Sequence, residues 1–207
     1  MSHNTFDLTP LKKQLTESLE SISFEINKGI KTLNNDNYCV LGELKSLKDK
    51  FDEVEAITAS FYLHNYLSPY TDKYLKITTC IQHLSHQRHG ALIVIERKDE
   101  VEPLIRAGTA IGAILTQSLL ESIFFPGNPL HDGAVLIRGD KIYSAANVLP
   151  LSNIVSGGKK LGTRHRAALG LSEKCDALVL VVSEESGIIS FAIGGSLFPL
   201  SVTSSII

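Results

Sequence analysis

Two short polar islands stand in the otherwise apolar second half of the chain, His131-Asp132-Gly133-Ala134 and Gly162-Thr163-Arg164-His165-Arg166. The first sets a carboxylate and an imidazole beside a glycine, which lets backbone come close to a ligand. The second gathers two guanidiniums and a hydroxyl, a set suited to phosphate oxygens. A third polar stretch, Ser183-Glu184-Glu185-Ser186-Gly187, offers adjacent carboxylates that could hold a divalent cation through oxygen ligands. Carboxylate, clustered arginine and a cation together are the equipment of metal-assisted phosphoryl chemistry on a nucleotide.

Each stretch also has a plainer reading. Asp-Gly is a common turn dipeptide, and Ser183–Gly187 could be a polar hairpin turn. The arginine cluster precedes Ala167-Ala168-Leu169 and so falls at a helix N-terminus, with Thr163 as the expected cap. Cations are unfavourable at that positive end, and two arginines there make better sense if an anion compensates them. His83, His86 and His89 recur at steps of three and could share a helix face as zinc ligands, but no acidic or sulfur partner accompanies them in the sequence. No glycine-lysine phosphate loop, dinucleotide fingerprint or serine nucleophile elbow occurs.

The elements that must position these residues follow from periodicity. Thr9-Pro10 is a helix start, and Leu11, Leu15, Leu19, Ile22, Ile26, Ile30 and Leu33 recur at steps of three and four. Asn34-Asn35-Asp36-Asn37 interrupts the pattern, and Val40, Leu44, Leu47, Phe51 and Val54 resume it, so residues 1–60 read as a helical hairpin. Its apolar stripes either cover the main domain or pack on a neighbouring subunit. Further helices are expected over 57–70, 72–87, 116–125 and 164–174. Apolar, β-branched runs predict strands over 91–95, 134–138, 141–148, 178–182 and 188–193, with turns at Gly139-Asp140 and Gly194-Gly195. Helices interspersed with hairpins and isolated buried strands predict an α/β domain over 61–207, a mixed β-sheet covered by helices.

Bulk properties narrow the partners. A chain of 207 residues with 43% hydrophobic content suffices for one full domain and a small appendage. The formal charge of −2 provides no basic field for nucleic acid. Three scattered cysteines form neither a disulfide framework nor a paired zinc set. No apolar run approaches the ~18 residues of a membrane span, and the start lacks a signal peptide's pattern. These features point to the cytoplasm and to no membrane partner.

Taken in order, Asp132-Gly133-Ala134, Gly162-Thr163-Arg164-His165-Arg166 and Ser183-Glu184-Glu185 resemble the diadenylate cyclase domain family. The resemblance runs from about residue 60 or 70 to near the C-terminus and takes in Pro129-Leu130-His131 and Leu149-Pro150-Leu151. It implies condensation of two ATP molecules into cyclic di-AMP with release of two pyrophosphates. Asp132 would then position or activate a ribose 3′-hydroxyl, and Gly133 would allow close backbone contact. Thr163, Arg164 and Arg166 would bind and neutralise phosphates, with Ser183 holding another, and Leu149 would contact adenine. Ala134, Gly162, His165 and Glu184 complete the implied ATP-binding set. His131 and Glu185 would be ligands of Mg²⁺ or Mn²⁺.

Each such domain holds one ATP, so the resemblance further implies a homo-oligomer with facing active sites. The N-terminal hairpin resembles that of the soluble, sporulation-associated class of the family, in which it restrains activity. One departure is Arg88-His89-Gly90, where a less polar residue than histidine is expected. Two rival readings use the same residues: a nucleotide sensor that has lost turnover, and a metal-dependent phosphodiesterase, which would want more carboxylate and histidine ligands.

Overall fold

The structure, a computed structural model, describes residues 9–32, 40–153 and 161–200. The break expected at Asn34–Asn37 lies outside the described residues. The chain divides into two compact units, Met1–Thr58 and Ala59–Ile207.

In the first unit α1 (Thr9–Thr32) runs beside the first part of α2 (Val40–Leu67), joined by an ion pair between Lys50 and Glu25. Gly29 lies close to the Glu43 carboxylate, where an added Cβ would be 3.1 Å from Oε2. The predicted stripe of α1 is only partly covered within the chain. Ile22 is buried and Leu15 half-buried, whereas Leu19, Ile26 and Ile30 are 49%, 39% and 59% exposed. On α2, Leu44 and Phe51 are likewise exposed. A two-helix unit has one mutual seam, and a stripe wider than that seam is left facing outward.

The second unit is a seven-stranded sheet in the order β2-β4-β3-β1-β5-β6-β7. Its strands are β1 (Ala91–Ile95), β2 (Thr109–Ile114), β3 (Ala134–Arg138), β4 (Lys141–Asn147), β5 (Leu178–Val182), β6 (Ile189–Ile193) and β7 (Ser196–Pro199). α3 (Tyr74–Gln87) precedes β1, α4 (Gln117–Phe124) follows β2 and α5 (Thr163–Ser172) follows β4. Only β1 and β3 pair in parallel; the other neighbours are antiparallel. The expected mixed α/β sheet is therefore the observed one.

Alternation along the central strands makes two cores. Ala91, Ile93 and Ile95 of β1, with Leu178, Leu180 and Val182 of β5, pack with α3, α4 and the end of α2. Leu92, Val94, Val179 and Val181 point the other way, onto Ala167, Ala168 and Leu171 of α5. Helices on both faces explain why these strands read as continuous apolar runs.

Two strands escape the sequence pattern. β2 is an edge strand of Thr, Ala, Ile and Gly, with a register shift between Ala110 and Ala113 and mostly exposed or half-buried residues. β7 is also at an edge and ends at a proline, which an edge tolerates. Helix starts differ by a residue. Thr116 caps α4, accepting from Leu119 N–H at 3.2 Å, but Gly162 rather than Thr163 occupies the N-cap of α5. The extended Gly162 backbone turns its carbonyl onto Arg166 N–H at 3.1 Å, and Thr163 becomes the first helical residue.

Buried Asn147 knits the sheet at the start of β3. Its Oδ1 accepts from Gly108 N–H and the Ser144 hydroxyl, each at 3.0 Å, and its Nδ2 donates to the Ala134 carbonyl at 2.8 Å. Replacing it by alanine leaves these groups without their partner, at a cost of about 1–3 kcal/mol for a buried unsatisfied group. Asn147→Ala should lower urea-unfolding stability by at least that much, and an unchanged midpoint would show that the network contributes nothing.

Candidate functional site

Strand register brings the first and third polar stretches to one end of the sheet, and Arg164 of the second meets them there through Glu184. Ala91, which opens β1, pairs with Val182, which closes β5, and Ala134, which opens β3, pairs with Asn147, which closes β4. Because β1 and β3 are parallel, Gly90, Asp132-Gly133, Val148-Leu149 and Ser183-Glu184 all leave the sheet at the same end.

Asp132 is exposed immediately before β3. Gly133 has φ +109°, and an added Cβ would be 2.7 Å from the Asn147 carbonyl oxygen, so only glycine lets the chain turn here against β4. Ala134 is fully buried. Half-buried His131 holds its Nδ1 2.5 Å from the Asn128 carbonyl oxygen. A carbonyl only accepts, so Nδ1 carries a hydrogen and Nε2 is the ring nitrogen left for a metal ligand.

The start of α5 supplies the cationic wall. Arg164 Nη1 donates to Glu184 Oε2 at 2.8 Å. This bond, with the arginine's charge and smaller contributions from His131 and His89, holds the Glu184 carboxyl below its ordinary value. Arg166 donates from Nε and Nη2 to the Ser152 carbonyl at 3.3 and 3.2 Å, and its own carbonyl accepts from Ser152 N–H at 2.9 Å. Arg166 thus braces the segment after β4 through two of its five guanidinium N–H groups. Half-buried His165 titrates below its ordinary value because burial disfavours the imidazolium, an effect that Glu185 partly opposes.

The turn bearing Ser183, Glu184 and Glu185 is fastened to the end of α3. Ser85 Oγ donates to the Gly187 carbonyl at 2.5 Å, Gly187 N–H to the Ser183 carbonyl at 2.9 Å, and Ser186 N–H to Ser183 Oγ at 3.3 Å. Of the two glutamates, Glu184 faces Arg164, His131 and His89, while Glu185 faces His165.

Leu149 sits 5% exposed among Leu92, Ala134 and Ala167 in the second core, whereas its neighbours Val148 and Leu151 are exposed. His83 does find an acidic partner that spacing along one helix could not reveal, Glu121 of α4, at 2.9 Å. Among the described residues no three His, Cys, Asp or Glu side chains cluster closely enough to hold a metal by themselves. An imidazole lone pair beside one or two carboxylates fits Mg²⁺ or Mn²⁺ that draws its remaining ligands from substrate phosphates. Burial pushes the Cys80 and Cys175 thiols up, which suits neither to nucleophilic work.

Comparison with known families gives two matches. The nucleotide-binding domain of the DisA bacterial checkpoint controller matches residues 78–197, and the N-terminal domain of diadenylate cyclase CdaS matches residues 3–70. The chain belongs to the diadenylate cyclase family. The diadenylate cyclase CdaS of Bacillus thuringiensis is 49% identical over 93% of this chain and 96% of its own. The cyclic di-AMP synthase CdaS of Bacillus subtilis is 49% identical over 97% and 94%. The crystal structure of a hypothetical membrane spanning protein from Bacillus cereus superimposes with a TM-score of 0.74, at 48% identity and covering 94% of this chain and 95% of that one. DacA of Staphylococcus aureus superimposes with a TM-score of 0.59, at 44% identity over 61% and 85%. Among the described residues of this diadenylate cyclase, no helix is long and apolar enough to cross a membrane.

The sequence pattern passes over Ser85 and Asn147, residues that hold the site from behind. Serine at the end of a helix and asparagine at the end of a strand carry no distinguishing spacing, and only the register of β3 with β4 and the packing of α3 reveal them. The electrostatics are testable. The fold favours neutral His165, so the unfolded chain takes up its proton first, and this residue withdraws stability as the pH falls below 6.5. An NMR titration should place His165 below 6.5, and Glu185→Gln should lower it further; an unchanged or higher value in that variant contradicts the assigned contact.

Proposed function

We propose that this diadenylate cyclase condenses two ATP molecules into cyclic di-AMP, releasing two pyrophosphates, between the sites of facing subunits in the cytoplasm. One observation carries the reading: a carboxylate, a helix N-terminus with arginine, and a hydroxyl-carboxylate turn meet at one end of the sheet. Phosphoryl transfer needs in-line positioning and charge neutralisation more than covalent help.

In this reading the triphosphate lies across the start of α5. The unpaired amides there, the Thr163 hydroxyl and the guanidiniums of Arg164 and Arg166 hold its oxygens, with Ser183 opposite. Asp132, exposed at the mouth of the sheet, orients the ribose 3′-hydroxyl and accepts its hydrogen bond. Gly133 lets the backbone that carries Asp132 turn tightly against β4. The base lies beside Val148, Leu149 and Leu151, with buried Leu149 shaping the floor and the exposed pair making contact. His131 Nε2, with Glu184 or Glu185, would hold Mg²⁺ or Mn²⁺, which supplies charge neutralisation at the phosphates when bound.

One chain provides one such set, so each 3′-hydroxyl reaches the α-phosphorus of an ATP held by another chain. The exposed apolar residues of the hairpin, Leu19, Phe24, Ile30, Leu41, Leu44 and Phe51, suit contacts between subunits. Contacts that hold the catalytic units out of register would restrain the reaction.

Purified chain incubated with ATP and Mn²⁺ or Mg²⁺ should yield cyclic di-AMP by chromatography, and Asp132→Asn should remove it by at least about 100-fold, within the range general for acid–base groups. ATP that binds without turnover in the full chain and in a chain lacking residues 1–58 would instead make the protein a sensor. Deletion of residues 1–58 should raise product per subunit, and a folded deletion variant that makes no more product contradicts the restraint.

A further inference from the structure

We propose that Gly90 is a positioning residue, whose missing side chain forms the seat on which the Arg164 guanidinium is aimed at the nucleotide phosphates. The inference rests on the reading that Arg164 binds ATP. Gly90 is buried and directly precedes β1 at the sheet end where the site assembles. A Cβ built on it would be 2.4 Å from Arg164 Nη1, 2.6 Å from its Cζ and 3.0 Å from Glu184 Cβ. The guanidinium therefore lies on the bare Gly90 backbone, with Glu184 closing the other side through its 2.8 Å hydrogen bond.

The obstructing atoms distinguish Gly90 from the structural glycines. At Gly133 and Gly170 the atoms nearest an added Cβ are all backbone, the Asn147 and Pro150 carbonyl oxygens closest, at 2.7 and 2.3 Å. A methyl at either would strain the fold itself. At Gly90 the two closest atoms are the far end of a flexible side chain, and its backbone is outside the positive-φ region that disfavours other residues. A methyl there is accommodated by movement of the guanidinium, by roughly 1 Å, and a displacement of that size at a positioning group can cost about 100-fold in rate. Gly90 touches no reacting atom; it acts through Arg164.

The test is a double-mutant cycle in the full-length chain with Mn²⁺, reading binding of 3′-deoxy-ATP by calorimetry and turnover of ATP. Arg164→Ala and Gly90→Ala are each expected to weaken 3′-deoxy-ATP binding or turnover by about 10- to 100-fold. The melting temperature of Gly90→Ala should stay near that of the parent. The double variant should be no worse than Arg164→Ala alone, because the guanidinium that the methyl displaces is already gone. If Arg164→Ala leaves binding and turnover unchanged, the assignment of Arg164 to ATP fails. If Arg164→Ala is impaired but Gly90→Ala is not, or if the two losses multiply, the seat is overturned. An unfolded Gly90→Ala chain also overturns it, since the clash would then fall on the fold and not on the guanidinium.

Discussion

β1 pairs in parallel with β3 on one side and antiparallel with β5 on the other, and the site depends on that arrangement. It brings the beginnings of two strands and the end of a third to one edge, so that Gly90, Asp132 and Ser183 emerge together although they are distant in sequence. The hydrophobic cores on both faces fix the register, because a slip of one residue would turn Ile93 and Val94 to the wrong cores. Loops at such an edge are free to carry polar groups while the apolar strands hold their spacing.

Upon this frame the charges are arranged in opposed pairs. Arg164 would be poorly placed at the positive end of α5 with nothing to answer it, and Glu184 answers it. Glu184 is two-thirds exposed, so the pair is worth little to stability and is readily exchanged for a phosphate. The same exchange would release the Glu184 carboxylate toward a cation beside His131. Arg166 is held differently from Arg164, its Ser152 bonds tying α5 to the segment that follows β4.

Much of this was legible in the sequence. Apolar β-branched runs mark β1, β3, β5 and β6, and three ordered polar motifs mark the family and the residues of the candidate site. What periodicity could not reveal has a common cause, dependence on tertiary neighbours. Edge strands β2 and β7 bury too little to show a pattern. The α1 stripe is visible as a helix, but that Ile22 is buried while Leu19 and Ile30 are exposed is set by tertiary neighbours. Leu149, which the resemblance offers as an adenine contact, also packs in the second core, and only the tertiary neighbours show that. Gly90 reads as a glycine before a strand, and only the position of Arg164 gives it a meaning.

The most direct measurement is a crystal structure of the chain with 3′-deoxy-ATP and Mn²⁺, a nucleotide that cannot cyclise. The account predicts the triphosphate at the N-terminus of α5 against Thr163 and Arg164, the sugar beside Asp132, and the Arg164–Glu184 hydrogen bond replaced by one to phosphate. A nucleotide bound elsewhere, such as the cleft of about 890 Å³ lined by His89, Glu121 and Phe125, with Arg164 still on Glu184, would contradict it.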